Sequence, residues 1–299
     1  MRNARSGGLL VGLAAVAVVL APAAPQPASS AAVRPDSGAV QYLAGPAAER
    51  PASRPRLSPF SVLQLNLCNS GFASCYAGGQ AVPEAARVIR TQRPDVVTLN
   101  EICQGDSAGA LLAAMQRTWP ADRVFANFQP AWDRGRDAPY RCRNGQQYGI
   151  ALMGHVAPAN WAGVATRGGI YPTQNPDRDE QRAWVCAYAI GNYYACTTHL
   201  ESGSGGTAKA QCRYLLGTAI PGVQAALGGA APTVVGGDFN LAYGGDPDVQ
   251  DCVPSGWSRK GDGAVQHVLA TGDFTVRSTR ATPLRHTDHP AWLVTLQTP

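Results

Sequence analysis

Apolar and polar positions alternate through Phe60–Leu67. Leu63, Leu65 and Leu67 fall on one side of an extended chain, Gln64 and Asn66 on the other. This predicts a strand with one apolar face. The spacing changes in "VPEAARVIRTQRP". Val82, Ala85, Ala86 and Ile89 recur at helical intervals, Pro83 suits a first turn, and Pro94 ends the run. "DVVTLNE" returns to strand with Glu101 at its carboxyl end, and "AGALLAAMQRTW" (108–119) predicts a second helix. "QYGIALMG" (147–154) predicts a strand, and "AWVCAYAI" with "YYACTTHL" a hairpin. After the glycine-rich "ESGSGG", a third helix is expected over residues 207–219. Thr233 to Asp238 reads as another buried strand, and "AVQHVLAT" and "AWLVTL" as two more. Strands outnumber helices, and βαβ segments mix with hairpins. The pattern implies an α/β domain with mixed sheets and helices outside.

The first 59 residues follow another rule. Arg2 and Arg5 precede an apolar stretch from Leu9 to Leu20 and then small residues and Ala-Pro repeats. That is the pattern of a secretory signal peptide, assigned to residues 1–32, with cleavage after Ala24 or Ala32 left open. The apolar run is too short to span a bilayer, and no later segment is long and apolar enough, so no transmembrane anchor is expected. Residues 33–59 carry Pro35, Pro46, Pro51, Pro55 and Pro59 among Ala, Ser and Arg, and read as a flexible lead-in. Residues 60–299 have the length of one domain.

The net charge is +5; without Arg2 and Arg5 it is +3, which permits a polyanionic partner without arguing for one. All eight cysteines lie beyond the signal. An even number in an exported chain implies disulfides and an oxidising, extracellular location. Cys186 and Cys196 are equidistant from Gly191, so a hairpin turning there pairs them, and Cys68 and Cys75 can close a small loop. The other pairings stay open.

Polar residues interrupt the strands at or just past their ends: Asn66, Glu101, His199, Asp238, Asn240, Asp288 and His289. Strand ends are where α/β scaffolds build sites. This oxygen-rich set suits Mg²⁺ or Mn²⁺ better than zinc, and the histidines can hydrogen-bond a phosphate or move protons. Each residue taken singly also fits a cap, a turn or a structural role.

Their order gives the set its meaning. "LQLNL", "PDVVTLNE", "TTHLES", "GDFN" and "TDHPAWLV" occur in the order of the endonuclease/exonuclease/phosphatase family, with its deoxyribonuclease-I-like fold, and the resemblance covers nearly all of Phe60–Leu296. It implies a four-layer α/β-β/α sandwich of two mixed β-sheets flanked by helices, and metal-dependent phosphate-ester hydrolysis. By resemblance, Asn66 and Glu101 hold Mg²⁺ (or Mn²⁺), and Asp288 supports the metal or His289. Asp238 positions or deprotonates water, Asn240 helps to hold it, and His199 and His289 donate to phosphoryl oxygens. Gly236 and Gly237 are expected to make room for the phosphate. One position departs from the family pattern: Gln266 stands where an aspartate usually supports the second histidine. A glutamine carbonyl can orient His289 but brings no charge, so a less basic His289 is expected.

The expected substrate is nucleic acid or another phosphodiester, with no stable protein partner. Arg134, Arg136, Arg141 and Arg143 lie among Trp132, Tyr140 and Tyr148. They read either as a grip for phosphates and bases or as a solvated loop paired with Asp133 and Asp137. The alternatives are a secreted sphingomyelinase-type lipid phosphodiesterase, which needs an apolar hairpin such as one near Trp161, and a weakly catalytic binding protein.

Overall fold

The computed structural model describes residues 41–43 and 59–297. The signal peptide and most of the lead-in lie outside them. All described residues belong to one unit, Val33–Pro299. In chain order the elements begin with β1 (Gln41–Leu43), β2 (Phe60–Asn66), α1 (Ala81–Gln92), β3 (Val96–Cys103), α2 (Gln104–Asp106) and α3 (Leu112–Thr118). Next come β4 (Arg123–Pro130), β5 (Trp132–Asp133), β6 (Ala138–Pro139), β7 (Tyr148–Val156), β8 (Val164–Ile170), β9 (Glu180–Gln181), β10 (Ala183–Ala189) and β11 (Tyr193–His199). They close with α4 (Gly205–Tyr214), α5 (Ile220–Leu227), β12 (Thr233–Asp238), β13 (Ser258–Gly261), β14 (Gln266–Ala270), β15 (Thr275–Thr282) and β16 (Ala291–Gln297).

Two mixed sheets result. One is ordered β1-β8-β10-β11-β12-β14-β13, the other β15-β16-β2-β3-β7-β4. Each holds one parallel pair, β11 with β12 and β2 with β3. The alternation in β2 sets the layers. Leu63, Leu65 and Leu67 pack outward on Ala85, Ile89, Leu111 and Met115 of the helical layer. Val62 faces inward with Phe125, Val185, Tyr193 and Val234, in the core between the sheets. On the far side, Leu215, Ile220 and Val223 cover the larger sheet. The four-layer sandwich is therefore present. Within the expected lead-in, Gln41–Leu43 forms an edge strand paired with Val164–Thr166. These three residues contain no proline to block pairing.

Two expected helices differ in extent. The second starts at Gln104 and carries a π-turn over Ser107–Leu111. The third runs from Gly205, capped by Ser204, through a π-turn over Leu215–Ala219 to Leu227, with Pro221 just after that turn. Both locally supported disulfides form, with Cys186 opposite Cys196 in the hairpin register. Cys103–Cys142 and Cys212–Cys252 complete the set.

Gly236 and Gly237 do not make room for a phosphate. A Cβ on Gly236 would meet the Thr98 hydroxyl of the opposite sheet, and one on Gly237 would meet the Thr198 carbonyl. Gly236 lets the two sheets close on each other beneath the strand ends, and Gly237 lets β12 lie against the neighbouring strand β11. A polar seam fills that region. Thr98 Oγ1 donates to Gln64 Oε1 at 2.6 Å, and Gln64 Nε2 donates to Asn100 Oδ1 at 2.7 Å. Asn100 bridges the sheets, accepting from Asp238 N at 2.8 Å and donating to Thr198 O at 2.8 Å.

A second polar anchor fixes the turn before β16. Glu84 of α1 is buried, and its carboxylate accepts from Arg285 N, His286 N and His286 Nδ1 at 3.0–3.2 Å. Glu84→Ala is expected to cost about 2 kcal/mol, since the freed N–H groups recover only part of their bonding from water. It should also lower kcat by loosening Asp288 and His289. A melting curve and a rate for Glu84→Ala beside Glu84→Gln check this.

Candidate active site

Strand ends from both sheets meet. His199 and Asp238 are the last residues of β11 and β12 and lie directly side by side in parallel register. Asn66 ends β2, and Asp288 and His289 stand in the turn leading into β16, which pairs with β2. Glu101 needs a special device. Asn100 points into the seam, so strict alternation would send Glu101 away from it. The β3–β7 register shifts between Leu99 and Ile102, and Glu101 takes φ 53°. This bulge re-aims the carboxylate at Asn66.

Asn66 ties the cluster together. Its Nδ2 donates to Glu101 Oε1 at 3.0 Å and to Asp238 Oδ2 at 3.1 Å, while its Oδ1 accepts from Cys68 N at 3.1 Å. The amide nitrogen, not the oxygen, therefore faces the carboxylates. His289 Nε2 lies 3.6 Å from Asp238 Oδ2 and 3.8 Å from Asp288 Oδ1. His199 Nε2 lies 4.0 Å from Glu101 Oε1. Asn240, at φ 49°, donates its side-chain amide to Leu200 O at 2.8 Å and its backbone N–H to Asp238 Oδ1 at 3.0 Å. The seven strand-end residues thus share one end of the sandwich.

Burial pushes the Glu101 carboxyl above its ordinary range, and the nearby Asp238 and Glu180 carboxylates add to this against the opposing pull of Asn66 and Arg182. Burial also holds His199 well below its usual value, helped by Arg182 and His289. Arg182 Nη1 lies 2.9 Å from His199 Nδ1. A guanidinium only donates, so Nδ1 accepts and the neutral ring carries its proton on Nε2, toward Glu101. Pattern reading passed over Arg182, because "RDEQRAW" reads as a solvated charge run. It is buried, 2.8 Å from Glu180 Oε1 and 4.0 Å from Glu201 Oε2. Asn100 was missed too, for it reads as ordinary strand.

Gln266 does not reach His289. Its Oε1 accepts from Gln64 Nε2 at 3.3 Å, and its Nε2 donates to Asp262 Oδ2 at 3.1 Å and Pro290 O at 2.8 Å. The arginine segment is split. Arg136 pairs with Asp133 at 2.9 Å, as the solvated-loop reading expects. Arg134 donates to Pro176 O and Asn175 O, and Arg141 to Gly145 O. Arg143 is exposed, and among the described residues its guanidinium has no partner.

A cluster of Cys68, Cys75 and Asp288 has the spacing of metal ligands, but its two sulfurs form a disulfide. The set that fits a divalent cation is the oxygen-rich one around Glu101. Two hard carboxylates share one amide donor there, and burial with the neighbouring Asp238 charge makes Glu101 costly to ionise, a cost that a cation offsets.

This architecture belongs to a known class. The Endonuclease/Exonuclease/phosphatase family profile matches residues 68–289, and the chain belongs to that family, whose members are hydrolytic phosphoesterases. No curated protein matches the sequence. Among solved structures, an endonuclease/exonuclease/phosphatase from Beutenbergia cavernae DSM 12333 is 19% identical with TM-score 0.55, covering 82% of this chain and 72% of that one. The human Nocturnin catalytic domain with bound sulfate anion is 18% identical with TM-score 0.54, covering 81% and 95%. ANGEL2, a 2′,3′-cyclic phosphatase in complex with adenosine-2′,3′-vanadate, is 12% identical with TM-score 0.56, covering 80% and 96%. At these identities the likeness shows the fold.

Proposed function

We propose that the chain is a secreted, divalent-metal-dependent phosphodiesterase acting on nucleic acid. One observation carries this reading: two histidines and two carboxylates, three from separate strand ends and His289 from the turn before β16, converge within 4.0 Å steps around Asn66. Glu101 would hold Mg²⁺ or Mn²⁺, with Asn66 orienting its carboxylate and Asp288 at the margin. When bound, the ion supplies positive charge against a phosphate oxygen. Asp238, fixed by Asn66 and the Asn240 N–H, accepts the proton of the attacking water. His199, neutral and protonated on Nε2, and His289 donate to phosphoryl oxygens as charge develops. Asn240 shapes the water site.

Export is supported by the signal pattern and by four disulfides. Among the described residues no helix is long and apolar enough to cross a membrane. The fold neighbour solved with adenosine-2′,3′-vanadate lends weight to a nucleotide-bearing substrate. The lipid alternative loses its apolar tip, because Trp161 packs against the core between the sheets. Among the described residues the exposed large apolar side chains are Phe72, Tyr76 and Tyr243, on two separate loops. The binding-protein alternative rests on Gln266, which is occupied within the seam.

The test is incubation of the secreted protein with plasmid DNA, RNA, sphingomyelin and a phosphomonoester, with Mg²⁺ and with chelator. Cleavage of nucleic acid with Mg²⁺ only is expected; cleavage of sphingomyelin alone overturns the reading. Chelation should abolish turnover, and excess Mg²⁺ should restore it. Mg²⁺ should also raise the melting temperature by binding the folded state, a rise that Glu101→Gln should remove.

A further inference from the structure

Next to the strand-end cluster lies a depression of about 270 Å³, whose lining includes Asn69, Gly71, Tyr76, Asp106 and Arg143. We propose that it is a subsite for the nucleotide adjoining the scissile phosphate, with Arg143 on that nucleotide's phosphate and Tyr76 against the face of its base. The inference rests on the nuclease reading and names the part of the substrate beyond the reacting group.

Position comes first. The depression's floor is bonded to the reacting end. Asn69 N donates to Glu101 O at 2.8 Å, and Cys68 N to Asn66 Oδ1 at 3.1 Å. An Asp288 carboxylate oxygen lies within 4.8 Å of the Cys68 and Cys75 sulfurs. A chain whose phosphate sits at Glu101 and Asp238 must therefore pass this loop on one side.

The depression is also braced. Cys68–Cys75 closes a small loop that ends next to Tyr76, and Cys103–Cys142 anchors the chain next to Arg143. Arg143 N donates to Ser70 O at 2.8 Å, joining the two segments directly. Asp106 accepts from Cys103 N at 2.8 Å and Asn69 Nδ2 at 2.7 Å, so this carboxylate braces the floor. A braced pocket loses little entropy when a ligand enters.

Of the four arginines in the segment, Arg134, Arg136 and Arg141 use their guanidinium groups on protein oxygens, and Arg143 alone does not. Its stem is aimed by Gly71. At φ +90°, Gly71 adopts a backbone that side chains avoid, and a Cβ there would lie 2.6 Å from Arg143 Cβ. Tyr76 is 37% exposed and offers an aromatic surface at the same depression. A free guanidinium beside an aromatic face suits a nucleotide, whose phosphate and base make those two demands.

Two probes separate this subsite from the reacting centre: a single-stranded oligonucleotide, and bis(p-nitrophenyl) phosphate, which presents the scissile diester with no flanking nucleotide. Arg143→Ala is expected to lower the ratio of kcat/KM on the oligonucleotide to that on the small diester by about tenfold. It should also reduce the slope of log KM against log salt by about 0.7, the loss of one phosphate contact. Arg143→Lys should keep that slope, and Tyr76→Ala should lower the same ratio about tenfold through lost stacking. An unchanged ratio and slope in Arg143→Ala, with wild type cutting the oligonucleotide, overturns the subsite and leaves the nuclease reading standing. Equal losses on both probes place Arg143 at the reacting centre and also overturn it. A wild type that cleaves only the small diester removes the nuclease reading and the subsite together.

Discussion

Replacing His289 by alanine, or Asp238 by asparagine, is expected to lower kcat by a factor on the order of a hundred or more. The melting temperature should move by only a few degrees in either case. The His289 side chain is 20% exposed, and the Asp238 and Asp288 carboxylates lie 3.6 and 3.8 Å from its Nε2. Removing the ring takes little from the core. Asp238 is buried, but asparagine keeps an oxygen for the Asn240 N–H, which the aspartate accepts at 3.0 Å. What asparagine loses is negative charge, and with it the capacity to take a proton. It also relieves crowding with Glu101, whose carboxyl is pushed up in part by Asp238. Activity and stability should therefore part company. Parallel measurements of kcat and of thermal unfolding read this directly. A large loss of melting temperature in both variants, with activity falling only in proportion to folded protein, would mark these as residues of the seam.

The amino-acid pattern carried part of this structure plainly. In β2 the period of two separated Leu63, Leu65 and Leu67 from Gln64 and Asn66, and those faces became the helix side and the sheet–sheet side. Asn66, His199 and Asp238 were legible because each ends a strand. Other features depend on partners distant in sequence. Glu101 is usable only through a bulge against β7. Gly236 answers to Thr98, more than a hundred positions away, so a local reading handed its space to a phosphate. Unforeseen strands lack the apolar alternation. β4 turns Asn127 and Gln129 inward beside Phe125, β8 contains Gly168 and Gly169, and β15 is an edge strand with Arg277 and Arg280 and little buried surface. The arginines of 134–143 looked alike in sequence; only the protein oxygens that hold the other three distinguish Arg143 from them.

Arg182 was the least legible of the residues at the site, and its removal is expected to be the costliest for folding. Arg182→Met should destabilise the protein by about 3–5 kcal/mol, the usual consequence of stranding buried charges. For a domain of this size that lowers the melting temperature by on the order of 10 °C. Glu180, 2.8 Å away, loses its counterion, and the fully buried Glu201, 4.0 Å away, is left with only the half-exposed Arg178 at 3.4 Å. Glu201 retains bonds from Gly203 N at 2.7 Å and Asn175 Nδ2 at 3.3 Å on one oxygen, while its other oxygen has no hydrogen-bond partner. Adding Glu201→Gln to Arg182→Met should therefore recover stability, with a coupling of at least about 1 kcal/mol in the double-mutant cycle. Activity should not recover with it. His199 Nδ1 takes its donor from Arg182 at 2.9 Å, and without that donor the imidazole is free to place its proton on Nδ1 or to rotate away from Glu101. A double variant that regains stability while kcat stays at least tenfold low would assign Arg182 two separable duties, charge balance and orientation of His199. Recovery of both together would reduce it to the first.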